Sequence, residues 1–248
     1  LPGLAALAQG KVSVSELKEV DISDLLGRQE VEPNNYLLKR NIEKKSVLIT
    51  GAGGSIGSEL SRQVVKNNPS QVILFDSNEY ALYSIRKELE TVSDKIEIFS
   101  ILGSVTNKRK MLELCNSFNV DTVYHAAAFK HVSLVEENPF EAVSNNIFGT
   151  KACVEASVEA NVETFVLIST DKAVRPTNIM GATKRFAELI LQSQTEKNKT
   201  KMTMVRFGNV IGSSGSAIPL FQQQIKEGGP VTVTHPDVTR FFMSIPEA

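Results

Sequence analysis

Short β-branched runs alternate with longer segments of helical period from residue 46 onward. Such alternation predicts parallel strands joined by helices, because each βαβ unit links two parallel strands through one crossover helix. The crossovers are right-handed, so helices cover both faces of the sheet. The pattern therefore predicts an α/β fold with a doubly wound parallel sheet, the Rossmann architecture. The predicted strands are VLIT (47–50), QVILF (71–75), KIEIF (95–99), DTVYH (121–125), TFVLIS (164–169) and MTMVRF (202–207).

The chain divides by composition into three predicted parts. Residues 1–45 carry scattered charge and no strong strand, so we expect a lead-in segment. Residues 46–208 are the predicted sheet domain, and residues 209–248 begin a smaller, less regular part. The chain lacks an initiator Met and stops at FFMSIPEA, where a helix is about to begin. We therefore expect a piece of a longer protein.

Composition is that of an ordinary soluble protein. A net charge of −1 and a pI near 6.4 give no general attraction to nucleic acid or to an anionic membrane. No run of 18 apolar residues occurs, so we expect no membrane contact by this part of the chain. Cys115 and Cys153 lack CxxC spacing and are predicted to be buried free thiols in a reducing cytosol. The three histidines show no metal-ligand spacing, so we predict no metal.

A glycine-rich turn, TGAGGSIGSEL, follows the first strand and precedes a helix. Gly51, Gly54 and Gly57 have the spacing G-x-x-G-x-x-G, and Ser55 and Ile56 lie between them. Glycine lets backbone N–H groups approach a pyrophosphate at the helix N-terminus, where an anion is favoured. The spacing differs from the commonest G-x-G-x-x-G fingerprint, and a glycine cluster alone is also compatible with an ordinary left-handed turn. Its position after a strand favours a dinucleotide site.

An acidic residue closes the second strand, at the distance expected of a ribose-binding carboxylate. Asp76, followed by Ser77, would accept both adenine-ribose hydroxyls and repel a 2′-phosphate, which favours NAD over NADP. The alternative is a plain helix N-cap before SNEYALYSIRKEL. Residues at the ends of the third and fourth strands are predicted to line the cofactor site. The alternatives are an ordinary turn serine after the third strand and a tightly packed strand–helix junction at the alanines after the fourth. These residues are Gly103, Ser104, Val105, Ala126, Ala127 and Ala128.

The segment STDKAVRPTNIMGATK follows the fifth strand. Loops after the carboxyl ends of strands form the ligand crevice in a doubly wound sheet, so we expect Thr170, Asp171 and Lys172 to face the cofactor. Met180 and Lys184 are four residues apart and share one helix face. Each charge taken singly is also compatible with a solvated turn. Their joint placement after the fifth strand indicates an active site.

Five segments are distinctive in combination: TGAGGSIGSEL, LFDSNEYALYSIRKEL, VYHAAAFKHVSLVEENPFEAVSNNIFGT, STDKAVRPTNIMGATKR and RFGNVIGSSGSAIPLF. Together they resemble the bacterial polysaccharide-biosynthesis nucleotide-sugar 4,6-dehydratases of the extended short-chain dehydrogenase/reductase superfamily, over residues 46–248. The resemblance is closest to the larger, membrane-anchored members. It implies an NAD cofactor, a UDP-sugar substrate such as UDP-N-acetylglucosamine, and a homo-oligomer. Residues 46–208 would then be the NAD-binding domain with the catalytic residues, and residues 209–248 the start of a small, incomplete substrate-binding part. The full-length protein would lie at the cytoplasmic face of the bacterial inner membrane.

The resemblance also implies roles for the residues after the fifth strand. Thr170 would bond the C4 oxygen of the sugar, Asp171 would protonate the departing C6 hydroxyl, and Lys172 would take the C5 proton. Lys184 would hold the nicotinamide ribose. Met180 occupies the position of a tyrosine base in many members, so we hypothesise that it packs against sugar or nicotinamide. The C4 hydroxyl proton would then leave through Thr170 and water, or directly to Asp171.

Four further residues are predicted to bind substrate. Lys130 and Asn209 match positions that contact the UDP-sugar, and Asn146 has either a relay role or a structural one. Arg240 would pair with the diphosphate, with a solvated surface arginine as the alternative. Two other functions stay open: a nucleotide-sugar 4-epimerase, which needs no elimination at C6, and a catalytically silent nucleotide-binding domain.

Overall fold

The structure, a computed structural model, describes residues 26, 28, 31, 33–92, 95–195, 198–213, 215–233, 235, 237 and 239–248. Most of the predicted lead-in lies outside the described residues. Its final helix, α1, spans Asn35–Arg40 and is capped by Asn34, whose side chain accepts from two backbone N–H groups of the first turn. Among the described residues, no helix has the length and apolar character needed to cross a bilayer.

The predicted doubly wound parallel sheet is confirmed. Six strands lie in the order β3-β2-β1-β4-β5-β6, and every neighbouring pair is parallel. The order reverses between β1 and β4, which opens a ligand crevice at the carboxyl ends of these strands. The strands are β1 Ser46–Thr50, β2 Gln71–Asp76, β3 Glu97–Leu102, β4 Thr122–His125, β5 Thr164–Thr170 and β6 Lys201–Phe207.

Helices connect the strands, and a small strand pair follows them. A parallel pair of two-residue strands, β7 Asn209–Val210 and β8 Phe242–Met243, lies beyond the main sheet. The helical segments are α2 Ser55–Lys66, α3 Glu79–Val92, α4 Lys108–Ser117, α5 Val132–Glu137, α6 Pro139–Ala142, a π-helix Val143–Gly149, α7 Thr150–Glu159, a 3-10 turn Asp171–Ala173, α8 Ile179–Gln194 and α9 Ala217–Lys226.

The sheet separates two apolar cores. Leu48 faces the core that is covered by α4, α7 and α8, with Phe165 at its centre. Its neighbour Ile49 faces the opposite core, under α2 and α3, beside Leu74. Alternate side chains of a strand point to opposite faces, so a strand buried on both sides is apolar throughout. Each fully buried side chain of this size contributes roughly 1.5–3 kcal/mol.

One predicted strand needs correction. The third strand, predicted at 95–99, spans Glu97–Leu102, because pairing with β2 begins at Gln71 opposite Glu97. The π-helix Val143–Gly149 was not predicted. The predicted buried free thiols are confirmed, since Cys115 and Cys153 are both buried and unbonded. The predicted domain division at residue 208 stays a prediction.

Candidate active site

The turn after β1 brings the glycine motif against the end of β4. Gly51 has φ +68°, and a Cβ on it would lie 2.7 Å from the backbone of Ala127. A Cβ on Gly57 would overlap the carbonyl oxygen of Gly51. Both positions therefore require glycine. Gly54 is the N-cap of α2 and provides no side-chain cap, so the amino end of this helix keeps donors for an anion.

Asp76 supports this turn from the end of β2. Its Oδ2 accepts a hydrogen bond from the Gly53 N–H at 2.9 Å, and its Oδ1 accepts one from the Asn78 N–H at 2.9 Å. Asn78 in turn accepts the Ala81 N–H at 3.0 Å in the first turn of α3. Asn78 rather than Asp76 is thus the capping side chain of that helix, which removes the plain N-cap alternative for Asp76.

Two adjoining cavities lie at the carboxyl ends of the strands. The smaller, about 340 Å³, has Asp76, Ser77, Gly103 and Val105 in its walls. The larger, about 470 Å³, has Ser55, Ile56 and Gly57 at the amino end of α2. Both volumes suit parts of a small-molecule ligand. The walls that the cavities share are Gly51, Gly54, Ala126, Ala128 and Phe129.

These walls contain most of the predicted cofactor residues and fit a dinucleotide. A carboxylate borders one cavity and helix N–H donors border the other, with small side chains between them. Ala127 also lines the smaller cavity. Ser104 lies in neither set of walls, and its hydroxyl bonds that of Thr106 at 2.8 Å within a turn. Lys184 is also absent from both.

Sequence reasoning missed several cavity residues. Phe129 and His131 come shortly after the three alanines that follow β4. This proximity is the sequence signal that could have identified them as cavity residues. Leu134 and Val135 lie on α5, where apolar residues predict only core packing. The remaining missed residues are Gly53, Phe75, Asn78, Ala81, Asn138, Glu141 and Asn145.

Three predicted catalytic side chains meet where β5 ends. Thr170 Oγ1 donates to Asp171 Oδ1 at 3.0 Å, and Lys172 Nζ donates to the same oxygen at 3.1 Å. Lys172 Nζ also donates to Asn209 Oδ1 at 3.0 Å, which brings one predicted substrate residue into the group. Burial opposes ionisation of Asp171, but the hydrogen bonds from Lys172 and Thr170 outweigh it and lower the pKa of this carboxyl. Asp171 is therefore a carboxylate at neutral pH.

Lys184 lies behind this group, 5% exposed. Its Nζ donates to the carbonyl oxygen of Ile168 in β5 at 2.7 Å. Burial lowers the pKa of Lys184 to about 8, and the negative charge of Glu188 partly opposes this. The ammonium is thus close to its titration range.

Met180 lies inside the protein, 4% exposed. It packs with Val135 and Ala142 in a small apolar cluster beside Val132 and Ile179. Val135 also lines the larger cavity, so Met180 supports that wall from behind. This differs from the hypothesis of direct packing against sugar or nicotinamide.

The other predicted substrate residues differ in their surroundings. Lys130 lies in the wall of the larger cavity, where partial desolvation lowers its pKa. Asn146 is 1% exposed and bonds both backbone groups of Phe129, at 2.8 and 3.0 Å. These bonds fit the structural alternative, and a substrate contact of Asn146 stays a prediction. Arg240 is exposed and donates to the carbonyl oxygen of Thr239 at 2.7 Å, and its pairing with the diphosphate also stays a prediction.

One buried residue had no predicted role. His125, at the end of β4, lies between the hydroxyls of Thr50 and Thr150, with its Nδ1 at 2.7 Å and its Nε2 at 3.0 Å. Burial, with a smaller contribution from the charge of Lys184, lowers the pKa of His125 to about 3. The ring is thus neutral. Through Thr50 and Thr150 it links β1, which leads into the glycine turn, with α7.

The sequence that contains this site matches a known protein family. Residues 47–248 match the sequence model of the family described as polysaccharide biosynthesis protein. The chain belongs to this family. It is 53% identical to the capsular polysaccharide biosynthesis protein CapD of Staphylococcus aureus, over 100% of this chain and 42% of that protein. The chain therefore spans less than half the length of this relative.

Two further relatives carry names for specific reactions. The chain is 34% identical to UDP-N-acetylglucosamine 4,6-dehydratase (inverting) of Campylobacter jejuni, over 82% of this chain and 60% of that protein. It is 35% identical to UDP-glucose 4-epimerase of Rickettsia canadensis, over 81% of this chain and 59% of that protein. The chain is thus homologous to nucleotide-sugar dehydratases and epimerases.

Solved structures share the fold. Pen from Bacillus thuringiensis superposes with a TM-score of 0.77 and 40% identity, covering 82% of this chain and 62% of that one. DesIV of Streptomyces venezuelae, a dTDP-glucose 4,6-dehydratase solved with NAD and TYD bound, has a TM-score of 0.73 and 21% identity, covering 81% and 68%. The second likeness supports the Rossmann fold alone.

Proposed function

We propose that the chain is the NAD-dependent catalytic part of a nucleotide-sugar 4,6-dehydratase. Its substrate would be UDP-N-acetylglucosamine, converted to the UDP-4-keto-6-deoxy sugar for surface polysaccharide. The observation that carries this proposal is the shared oxygen of Asp171, which accepts from Thr170 and from Lys172 at 3.0 and 3.1 Å. Elimination across C5 and C6 needs an acid and a base side by side, whereas 4-epimerisation needs no acid at C6.

The cofactor would lie along the two cavities. The N–H groups at the start of α2 would hold the pyrophosphate, and Asp76 would accept the adenine-ribose hydroxyls and repel a 2′-phosphate. When bound, NAD would supply a reversible hydride acceptor, so that the hydride removed from C4 of the sugar is returned at C6 after the elimination and the cofactor is regenerated. The buried Lys184 would contribute positive charge near the nicotinamide ribose.

Asp171 would receive the proton that leaves the C4 hydroxyl. Its lowered pKa makes it an ionised acceptor at neutral pH, and the hydroxyl of Thr170 already donates to it. Thr170 would take the sugar proton while passing its own to Asp171. The protonated Asp171 is then the acid that the departing C6 hydroxyl requires. One proton thus moves from O4 to the leaving water, and no tyrosine is needed at position 180.

Lys172 would take the C5 proton. Its ammonium donates to Asp171 and Asn209 in the resting structure. In its amine form Lys172 would accept the C5 proton, which the neighbouring ketone acidifies, and would return it to C5 after the elimination. Asn209 would keep the amine in place.

The reaction can be tested by mass spectrometry after incubation of the chain with NAD and UDP-N-acetylglucosamine. We expect a product lighter by one water, no product from Lys172→Gln, and normal product from Lys151→Gln, which changes an exposed helix residue. An unchanged mass with a new 4-epimer would instead support the epimerase, which the Rickettsia relative makes the second candidate. Cofactor binding without either product would support the silent domain.

The resemblance also carries two proposals about the whole protein. The full-length protein would be anchored at the cytoplasmic face of the inner membrane, and the catalytic part would form a homo-oligomer. Light scattering on purified protein tests the second proposal, and a monomer at micromolar concentration would contradict it.

A further inference from the structure

Glu188 is a fully buried carboxylate with no place in the proposed reaction so far. Its side chain is 0% exposed. Oε1 accepts from Ser169 Oγ at 2.6 Å and from Arg206 Nε at 2.7 Å. Oε2 accepts from a second nitrogen of Arg206 at 2.5 Å and from Arg185 at 3.0 Å. An isolated buried carboxylate is unstable, so these donors are what keeps it ionised.

The donors come from three elements, and each adjoins a proposed active-site residue. Ser169 directly precedes Thr170 at the end of β5. Arg206 is the register partner of Ser169 in β6 and lies three residues before Asn209. Arg185 directly follows Lys184 on α8. The carboxylate thus ties the ends of two strands to the helix that carries Lys184.

Glu188 also lies one turn after Lys184, so the two charges share a helix face. The Nζ of Lys184 donates to the carbonyl oxygen of Ile168, and burial lowers the pKa of Lys184 to about 8. Glu188 is the group that opposes this shift. His125 on β4 is neutral at pH 7, since its own pKa is about 3.

Other charged groups lie on the elements packed against α8. Asp171 and Lys172 pair with each other. Glu136 on α5 accepts the backbone N–H of Ile179 at 2.7 Å. The charged residues of α7 pair at the surface, and Lys201 of β6 pairs with Glu163. Glu141 on α6 lines the larger cavity. Among the described carboxylates of these elements, Glu188 is the one whose charge acts on Lys184.

We propose that Glu188 is a positioning residue for the dehydration: its carboxylate holds the ends of β5 and β6 beside α8 and keeps Lys184 a cation at neutral pH. This inference rests on the proposed function for its catalytic meaning. The electrostatic part concerns this chain alone and can be measured without substrate or cofactor.

The test is the titration midpoint of Lys184, followed by NMR of protein labelled with ¹³C at the lysine ε-carbon and assigned through Lys184→Arg. Glu188→Gln keeps the shape but removes the charge, and we expect the midpoint to fall by about one pH unit, a ~10-fold loss of proton affinity. Arg206→Gln breaks the same ion pair but removes the opposite charge, so the midpoint should rise. Glu113→Gln, in an exposed surface pair, should leave it unchanged.

Both variants break the ion pair between Glu188 and Arg206 but should shift the Lys184 midpoint in opposite directions. Structural damage alone would not produce opposite shifts. Unchanged midpoints, or shifts in one direction, would overturn the proposal. If Glu188→Gln does not fold, Arg206→Gln decides alone, because its side chain is 38% exposed and an unchanged midpoint contradicts the proposal. The basic limb of the rate of water loss should move with the midpoint in each variant. Wild-type protein that loses no water would contradict the proposed function and leave the midpoint result standing.

Discussion

The hydroxyl of Thr170 donates to Oδ1 of Asp171 at 3.0 Å, so a neutral donor and an ionised acceptor stand in contact at the end of β5. Lys172 donates to the same oxygen. One carboxylate oxygen of Asp171 thus contacts both Thr170, which is proposed to act at O4 of the sugar, and Lys172, which is proposed to act at C5. The contact provides a proton route that makes no use of position 180, where Met180 has no exchangeable proton.

Asp171→Asn should abolish formation of reduced cofactor. The amide cannot accept the proton from O4, so we expect no NADH absorbance in a single turnover, and Thr170→Val should slow the same step by about 10²-fold or more. Thr170→Ser keeps the hydroxyl and should retain most of the rate. NADH formed at the wild-type rate by Asp171→Asn would exclude Asp171 as the O4 acceptor.

Asp76→Asn should weaken NAD binding and reduce the preference over NADP. Loss of charge-assisted hydrogen bonds to the ribose costs about 1.5–3 kcal/mol, or roughly 10- to 100-fold in Kd, whereas removal of a negative charge favours a 2′-phosphate. Calorimetric titration measures both affinities. Asp121→Asn is the matched control, because Asp121 also holds a backbone N–H, that of Ser46 at 2.8 Å, but lies at the opposite end of the sheet. Equal losses for NAD and NADP would contradict the assigned role.

Met180 should behave as a core residue. Met180→Leu conserves volume and should cost less than about 1.5 kcal/mol of unfolding free energy, while Met180→Ala leaves a cavity and should cost about 2–5 kcal/mol. Met180→Tyr brings a larger, polar side chain into a buried position, where Met180 is 4% exposed, so we expect destabilisation and no gain in rate. Urea unfolding measures all three. A faster enzyme from Met180→Tyr would show that the position borders the reacting sugar.

His125 should make the fold sensitive to mild acid. The folded pKa of His125 is about 3 and its ordinary value is 6.5, so between these pH values the unfolded chain binds a proton that the folded chain does not. Stability from this group is complete above pH 6.5 and is lost as the pH falls toward 3. A fall from pH 6.5 to 5 should remove about 2 kcal/mol.

The measurement is urea unfolding of wild type and His125→Gln across that pH window. The variant should lose the slope assigned to His125, while His235→Gln, at an exposed histidine, should keep it. The carboxylate of Glu188 does not account for this window, because its pKa is lowered to about 2 from 4.5 and its contribution disappears only below about pH 4.5. An unchanged slope in His125→Gln would contradict the assignment.

Much of the fold follows from local patterns. β-branched runs with helical segments between them predict the parallel strands in their order along the chain. The glycine turn predicts where the crevice opens. The strand limits were less predictable: β3 begins and ends where hydrogen bonding to β2 does, which the apolar run around Phe99 does not indicate. The π-helix around Asn146 likewise depends on the tertiary bonds of this amide to Phe129 and Thr183.

The primary structure was sufficient for the architecture, the glycine cradle and the cluster of reactive side chains after β5, because periodicity, turn chemistry and adjacency along the chain are local properties. Folding in three dimensions was needed to place Met180 behind the cavity wall, to join Lys172 to Asn209 across 37 positions, and to surround Glu188 with its donors. The pairing of a buried polar group depends on which elements pack around it. That packing also sets the local dielectric and therefore the charge of Lys184 and His125.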